Sequence, residues 1–320
     1  MRFEKLPEVT DEEWSLVHKF NRDITEEFLQ QQHLSDKTLM QYKSGLRQFF
    51  RFVHDQCMNK PIYELKARDA LKYQNFLLAR GLSSSAVKLK RSVVSSLCGY
   101  VELYYGEDYP LFRNIYNKQI PNPPKALRNE KKPLSEEELR HLIRTLEERE
   151  EWQMLAYIHF SYSSGARREE VRQLLKEVAN YEKVKDKSYY LTHNIRCKGR
   201  SKQGKIRKLV FDETAMQAIK KWLEVRGEDD CPYVFVKKTK DGKVNQVNPT
   251  TFNYWCSEIF SEIVGRRVHP HQLRSTRATH LVLSGKNIES AQALLGHESS
   301  ETTKIYIVKE TDDELDDAFA

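Results

Sequence analysis

His271-Gln272-Leu273-Arg274, then Leu295-Gly296-His297, then Tyr306 stand close together in the last third of the chain. Two imidazoles, a guanidinium and a phenol at these intervals suit attack on a phosphodiester by a tyrosine hydroxyl. In such an attack the incoming oxygen lines up with the leaving oxygen, and negative charge gathers on the non-bridging oxygens. Without a metal, fixed side-chain cations must offset that charge. Arginine suits the task, because its planar fork grips two phosphate oxygens and stays charged at any working pH. The nucleophile must also lose a proton and the departing oxygen gain one. The set required is two arginines, one or two proton carriers and a nucleophile. A second arginine stands at Arg167.

Each residue also has an ordinary role open to it. Arg167, at the start of a helix, could simply pair with Glu169 or Glu170. Glu170 reads as structural, a buttress for a catalytic arginine or histidine. His271 after Pro270 could be a helix-start residue, with His269 as a competitor, but only His271 lies three residues before Arg274 on one helical face. His297 after Gly296 could be a helix-end histidine favoured by the dipole. Tyr306 is one of 16 tyrosines, most of which must simply pack. Singly, each residue argues weakly; as an ordered set they argue strongly.

The elements that must position them begin with a helical N-terminal part. Thr10-Asp11-Glu12-Glu13 reads as a capping box, followed by Trp14, Val17, Phe20, Ile24 and Phe28 at helical intervals. A second helix is predicted over about 36–53, where Lys43, Arg47 and Arg51, four apart, form one basic stripe. That stripe is either a solvated face or a phosphate-tracking one. Helices over about 66–80, ending at Gly81, and 84–105, with Lys88, Lys90 and Arg91 near its start, complete a four-helix unit spanning 1–110. Prolines 110, 121, 123, 124 and 133 with Lys125, Arg128, Lys131 and Lys132 mark a basic, helix-poor linker over 111–133.

The second part, 134–320, opens with the capping box Ser135–Glu138 and continues with helices over 151–163 and 168–177. Segments 188–196 and 205–211 read as a β-hairpin around a polar turn, and 233–237 as a third strand. From 251 onward the pattern is helical, ending in an acidic tail at 310–317. The expected fold class is mainly α with a small β-sheet.

Composition sets outer bounds. Lys plus Arg number 53 against 46 for Asp plus Glu, a net charge of +7 whose arrangement says more than its sum. Five widely spaced cysteines without a CxxC pair argue against a disulfide framework or a zinc site. The chain shows no apolar signal core and no membrane-length apolar run, so a soluble, cytoplasmic, nucleoid-associated protein is expected.

The motifs together resemble the tyrosine recombinases, the phage-integrase and Xer family. Ser164-Gly165-Ala166-Arg167 with Glu170-Val171 is similar to the family's first arginine box. Pro270-His271-Gln272-Leu273-Arg274 with Ala278-Thr279-His280 is similar to the second. Leu294-Leu295-Gly296-His297 and Thr302–Tyr306 resemble the third, with the family's nine-residue step from histidine to tyrosine. The likeness covers the catalytic half and extends more weakly over the N-terminal half, from Leu34 to Phe52. Two positions depart from the family pattern: Ser275, where histidine is frequent, and Arg277, where an aromatic residue is usual.

The resemblance implies roles. Arg167 and Arg274 would clamp the scissile phosphate, Tyr306 would attack to leave a 3′-phosphotyrosine, His271 would assist proton transfer, and His297 would hydrogen-bond a non-bridging oxygen. A lysine in the β-hairpin would protonate the leaving oxygen. Lys198-Gly199 resembles the family's Gly-Lys-Gly signature, whereas the family's five-residue step back from Arg207 reaches Lys202, with Lys205 as the second lysine. Lys202 is favoured because it keeps the spacing to the following strand, and Lys198 stays open as the alternative. DNA contacts are expected from Lys43, Arg47, Arg51, Lys88, Arg91, Lys198, Arg200 and Lys205.

The resemblance further implies no metal and no cofactor, double-stranded DNA with inverted-repeat core sites as substrate, and a tetramer on DNA. A second recombinase or an accessory protein stays open as a further partner. With no substantial domain before the four-helix unit, an Xer-like enzyme is expected rather than an arm-binding one. The rivals are a type IB topoisomerase or telomere-resolving enzyme, a DNA-binding protein with an inactive site, and a metal-dependent nuclease.

Overall fold

In the computed structural model, which describes residues 6–32, 34–116, 120–124, 132–197 and 204–296, helices begin where the capping boxes predict them. Thr10 Oγ1 accepts from Glu13 N at 3.1 Å, and the Glu13 carboxylate accepts from Thr10 N at 3.0 Å, opening α1 (Asp11–Ser15). Ser135 and Glu138 make the same exchange at 3.1 and 2.9 Å and open α6 (Glu136–Glu148). The chain divides near Asn129 into two units.

The first unit contains α1, α2 (Lys19–Leu29), α3 (Asp36–Gln56), α4 (Ala67–Ala79) and α5 (Ser84–Tyr104). The pattern from Trp14 to Phe28 is thus two helices. Asn59 explains the break. Its side-chain amide donates to Leu16 O at 3.0 Å and accepts from His18 N at 2.8 Å, replacing helical partners with a tertiary one. The core gathers Ile24 and Phe28, Phe49, Phe50 and Val53, Tyr73 and Leu77, and Val94 and Val101, all buried. Phe112, Ile115 and Ile120, from the segment read as a linker, are buried in the same core.

The second unit is organised around α7 (Trp152–Ser164). Met154 through Ile158 and Phe160 are buried on all sides, as expected of a helix without a polar face. Against it pack α6, α9 (Glu213–Arg226) and α12 (Pro270–Leu283). Helix α8 (Arg168–Val171) is shorter than the 168–177 predicted. After it the chain bonds elsewhere: Leu174 O accepts from Val234 N at 2.8 Å, and Lys176 N donates to Pro232 O at 2.7 Å. Helical pattern continues through this stretch, but its backbone is drawn into a bridge with 232–234.

Among the described residues the β-structure forms three two-stranded antiparallel ladders. In the predicted hairpin β1 (Tyr190–Leu191) pairs with β4 (Val210–Phe211), and β2 (Ile195–Cys197) with β3 (Lys205–Arg207). Thr192 joins the two ladders, donating its N to Leu209 O and accepting Leu209 N on Oγ1, both at 2.9 Å. The predicted third strand appears as β5 (Val236–Lys238), paired with β6 (Val244–Gln246) rather than with the hairpin. Helix α10 (Pro249–Tyr254) passes through a π-helical stretch (Trp255–Phe260) into α11 (Ser261–Val264); α12 and α13 (Ile288–Leu295) follow. Among the described residues no helix is long and apolar enough to cross a membrane.

Candidate active site

The site is built where α7 ends. Ser164 Oγ donates back to Phe160 O at 2.6 Å and accepts from Ala166 N at 3.2 Å, while Gly165 takes a left-handed conformation (φ +60°). Glycine is the residue that enters this region without a Cβ penalty. A Cβ here would also run into the Leu295 side chain. The turn delivers Arg167 to the N-cap of α8 in an extended conformation. Glu170, 1% exposed, accepts from Arg167 N at 2.9 Å and from Arg167 Nη1 at 3.0 Å. The ordinary pairing with Glu170 is therefore present, yet the Arg167 side chain keeps a quarter of its surface in solvent.

Helix α12 supplies the second arginine. Its N-cap, His269, donates its backbone N to Gln272 Oε1 at 3.1 Å, which places Pro270 in the first helical position. His271 is exposed one residue further on, and Arg274, three after it, is wholly buried. The Arg274 guanidinium donates to the carbonyl of Gly165 through Nη1 and to Leu295 O through Nη2 at 2.8 Å. One side chain thus ties the Gly165–Arg167 turn to the last turn of α13. A helix C-terminus carries unsatisfied carbonyls and partial negative charge, so guanidinium donors suit it.

A second guanidinium reaches the same helix end. Arg207, the last residue of β3, donates through Nη1 to Leu294 O at 3.2 Å and through Nε to Cys197 Sγ at 3.3 Å. Its Nη2 lies 3.7 Å from Glu170 Oε2. Burial pushes the Cys197 thiol above its usual range, with the Glu170 charge adding to the effect. Gly296 closes α13 in the left-handed region (φ +63°), and a Cβ there would meet the Arg207 guanidinium.

Around this centre α12 holds the start of the second unit. Thr276 Oγ1 accepts from Leu134 N at 2.9 Å, and His280 stands between Tyr162 Oη and Leu134 O, each at 2.9 Å. A neutral ring fits that pair as Nε2–H donating to the carbonyl, with Nδ1 accepting from the phenol. Arg277, at the position where the resemblance expects an aromatic residue, lies with its guanidinium 5.2 Å from the centroid of the Tyr162 ring.

Of the six residues expected to be catalytic, Arg167, His271 and Arg274 are described, and the two arginines meet at the Gly165–Arg167 turn. His297, Tyr306 and Lys202 lie outside the described residues, as do Lys198 and Arg200. The expected DNA contacts divide. Lys43, Lys88 and Lys205 are exposed. Arg47 instead pairs with Asp11 at 2.7 Å over the Trp14 ring, and Arg51 with Asp55 at 2.9 Å and Glu13 at 3.4 Å. The acidic first turn of α1 thus covers part of the α3 stripe. Arg91 donates to Gln74 Oε1 at 2.6 Å and to Pro121 O at 2.8 Å, pinning the segment after Ile120 onto α4 and α5. Sequence reasoning used Arg207 only to count spacings. Strand alternation puts Arg207 on the same face of β3 as exposed Lys205, so no local pattern marks it out as the half-buried one.

Comparison with known proteins agrees with this geometry. Residues 132–312 match the phage integrase family, and residues 22–103 match the phage integrase N-terminal SAM-like domain. The chain is 34% identical to the SPbeta prophage-derived recombinase-like protein YomM of Bacillus subtilis, over 98% of this chain and 95% of that protein. It is 30% identical to the tyrosine recombinase XerA of Pyrococcus horikoshii, over 89% of each. Among solved structures, the Tn1549 transposon integrase in complex with transposon right end DNA has the same fold, with a TM-score of 0.70 at 16% identity, covering 95% of this chain and 100% of that one. The XerH recombinase bound to palindromic difH substrate gives 0.69 at 16% identity, covering 99% and 97%. A catalytic match spanning more than half of the chain, set on this fold and these arginine boxes, makes the protein a member of the phage integrase family of tyrosine recombinases.

Proposed function

We propose that this protein is a site-specific DNA recombinase that cuts and rejoins strands through a 3′-phosphotyrosyl intermediate. The observation that carries the reading is the buried Arg274 guanidinium on the Gly165 carbonyl, which brings the two arginine boxes to one turn. Arg167 and Arg274 hold the scissile phosphate and offset the charge that builds on its non-bridging oxygens. The Tyr306 oxygen attacks phosphorus as the bond to the 5′-oxygen breaks. His271 takes up the phenolic proton, His297 donates to a non-bridging oxygen, and a hairpin lysine, Lys202 in preference to Lys198, protonates the leaving oxygen. The new phosphotyrosyl ester conserves the energy of the old bond, so a 5′-hydroxyl from another duplex reverses the step without a nucleotide or metal.

The substrate is double-stranded DNA carrying inverted core repeats, worked on by a tetramer in the cytoplasm at the nucleoid. Exposed Lys43, Lys88 and Lys205 suit phosphate contact. Arg47 and Arg51 reach phosphates by exchanging partners, since such surface pairs are worth only about 0–1 kcal/mol each.

The test uses nicked duplexes built on the imperfect inverted repeats flanking the gene, which trap the covalent complex when the short strand diffuses away. The native protein forms a denaturant-resistant protein–DNA adduct in EDTA; Tyr306→Phe binds the same DNA but forms none. Adduct formation by Tyr306→Phe at the native rate refutes the assignment of the nucleophile.

A further inference from the structure

Arg207 contacts three parts of the site and belongs to none of the proposed reacting groups. It fastens β3 to β2 through Cys197 Sγ at 3.3 Å, reaches the end of α13 through Leu294 O at 3.2 Å, and approaches the Glu170 carboxylate at 3.7 Å. The same carboxylate holds Arg167, which donates its backbone N to Oε2 at 2.9 Å and its Nη1 to Oε1 at 3.0 Å. Glu170 is therefore a buried anion between two guanidinia. We infer that Arg207 is a positioning residue, setting the reach and effective charge of Arg167 through the carboxylate they share.

The physical case has two parts. Arg167 and Glu170 alone sum to no net charge, and a buried carboxylate with a single cationic partner draws that partner inward. Adding Arg207 gives the trio one net positive charge and brings a second guanidinium to 3.7 Å from Oε2, the oxygen that also accepts the Arg167 backbone N. With the carboxylate shared, Arg167 is drawn inward less strongly, and its side chain keeps a quarter of its surface in solvent. The second part is geometric. The Arg207 guanidinium lies so close to the α13 terminus that a Cβ on Gly296 would collide with it. One side chain thereby holds the Arg167 turn and the end of α13 in fixed relation, and a rigid supporting contact of this kind is what keeps a reacting group in register.

This inference rests on the recombinase reading, and the experiment separates the two. Full-length protein is assayed in single turnover on two nicked duplexes, one with an ordinary scissile phosphate and one with a methylphosphonate there. The second has lost a charged non-bridging oxygen and so needs less from Arg167. Arg207→Met is expected to slow adduct formation on the phosphate by about 30-fold, and on the methylphosphonate by no more than about 3-fold, each relative to the native protein. Arg207→Lys keeps the charge without the fork and is expected to recover about half of the loss on a logarithmic scale. Should Arg207→Met not fold, Arg207→Lys carries the same comparison between substrates. Equal slowing on both substrates shows a purely structural residue and overturns the inference, as does native behaviour on both. If the native protein itself forms no adduct on either duplex, the recombinase reading falls, and the role of Arg207 falls with it.

Discussion

Replacing Gly165 with alanine should separate the two demands placed on the turn that carries Arg167. The residue sits at φ +60°, and a non-glycine residue there costs about 1–2 kcal/mol. Its added Cβ also meets the side chain of Leu295, which is fully buried at the end of α13 and has little room to retreat. Overpacking of this kind costs about 1–3 kcal/mol. The sum, about 2–5 kcal/mol, should lower the melting temperature of the second unit by roughly 4–20 °C. Gly265 provides the control, since it has φ +74° with open space around its Cβ position and should show the backbone cost alone. Urea unfolding followed by tryptophan fluorescence measures both, because Trp152, Trp222 and Trp255 lie in the second unit and only Trp14 in the first. In a Leu295→Ala background the collision disappears, so Gly165→Ala should cost less there by about 1–3 kcal/mol. A Gly165→Ala penalty that matches Gly265→Ala and is unchanged by Leu295→Ala would refute the claim that Leu295 closes the turn.

Two further outcomes are expected. Burial on α7 holds the His159 imidazole below its ordinary value near 6.5. The unfolded chain therefore binds this proton first, and stability contributed above pH 6.5 is lost as pH falls toward the folded value. His159→Gln should flatten the fall in urea midpoint of the second unit between pH 7 and pH 5, and an unchanged slope would contradict the assignment. In the first unit, Asn59 stands at φ +50° and bonds both Leu16 O and His18 N. Asn59→Gly should cost about 1–3 kcal/mol for the unpaired backbone groups, and Asn59→Ala about 1 kcal/mol more for the left-handed backbone. Trp14 fluorescence during unfolding reports both, and a neutral Asn59→Gly would show that the amide does not maintain the break between α1 and α2.

What could be foreseen and what could not differ in range along the chain. Helix starts are local events, and Thr10 with Glu13 and Ser135 with Glu138 placed two of them correctly because the partners are three residues apart. The length of α8 was misjudged because its backbone was claimed by 232–234, a partner more than fifty residues away that no local pattern exposes. The basic stripe of α3 was legible as a stripe. That α1 would turn its acidic first turn onto Arg47 and Arg51 was not, since those pairs join residues brought together only by packing.

Residue type and order determined the chemistry of this protein on their own. An ordered set of arginines, histidines and a tyrosine implies tyrosine-based phosphodiester exchange before any fold is known, because that reaction needs those functional groups and the motif spacings are short. Tertiary structure alone decided which carbonyls and carboxylates each of these cations meets. Arg274 proved to be a buried tie between Gly165 and Leu295, and Arg207 a bridge from a strand to Glu170 and Leu294. The physical reason is that a guanidinium presents five donors in every sequence context. What it donates to depends on which carbonyls and carboxylates folding brings within about 3 Å.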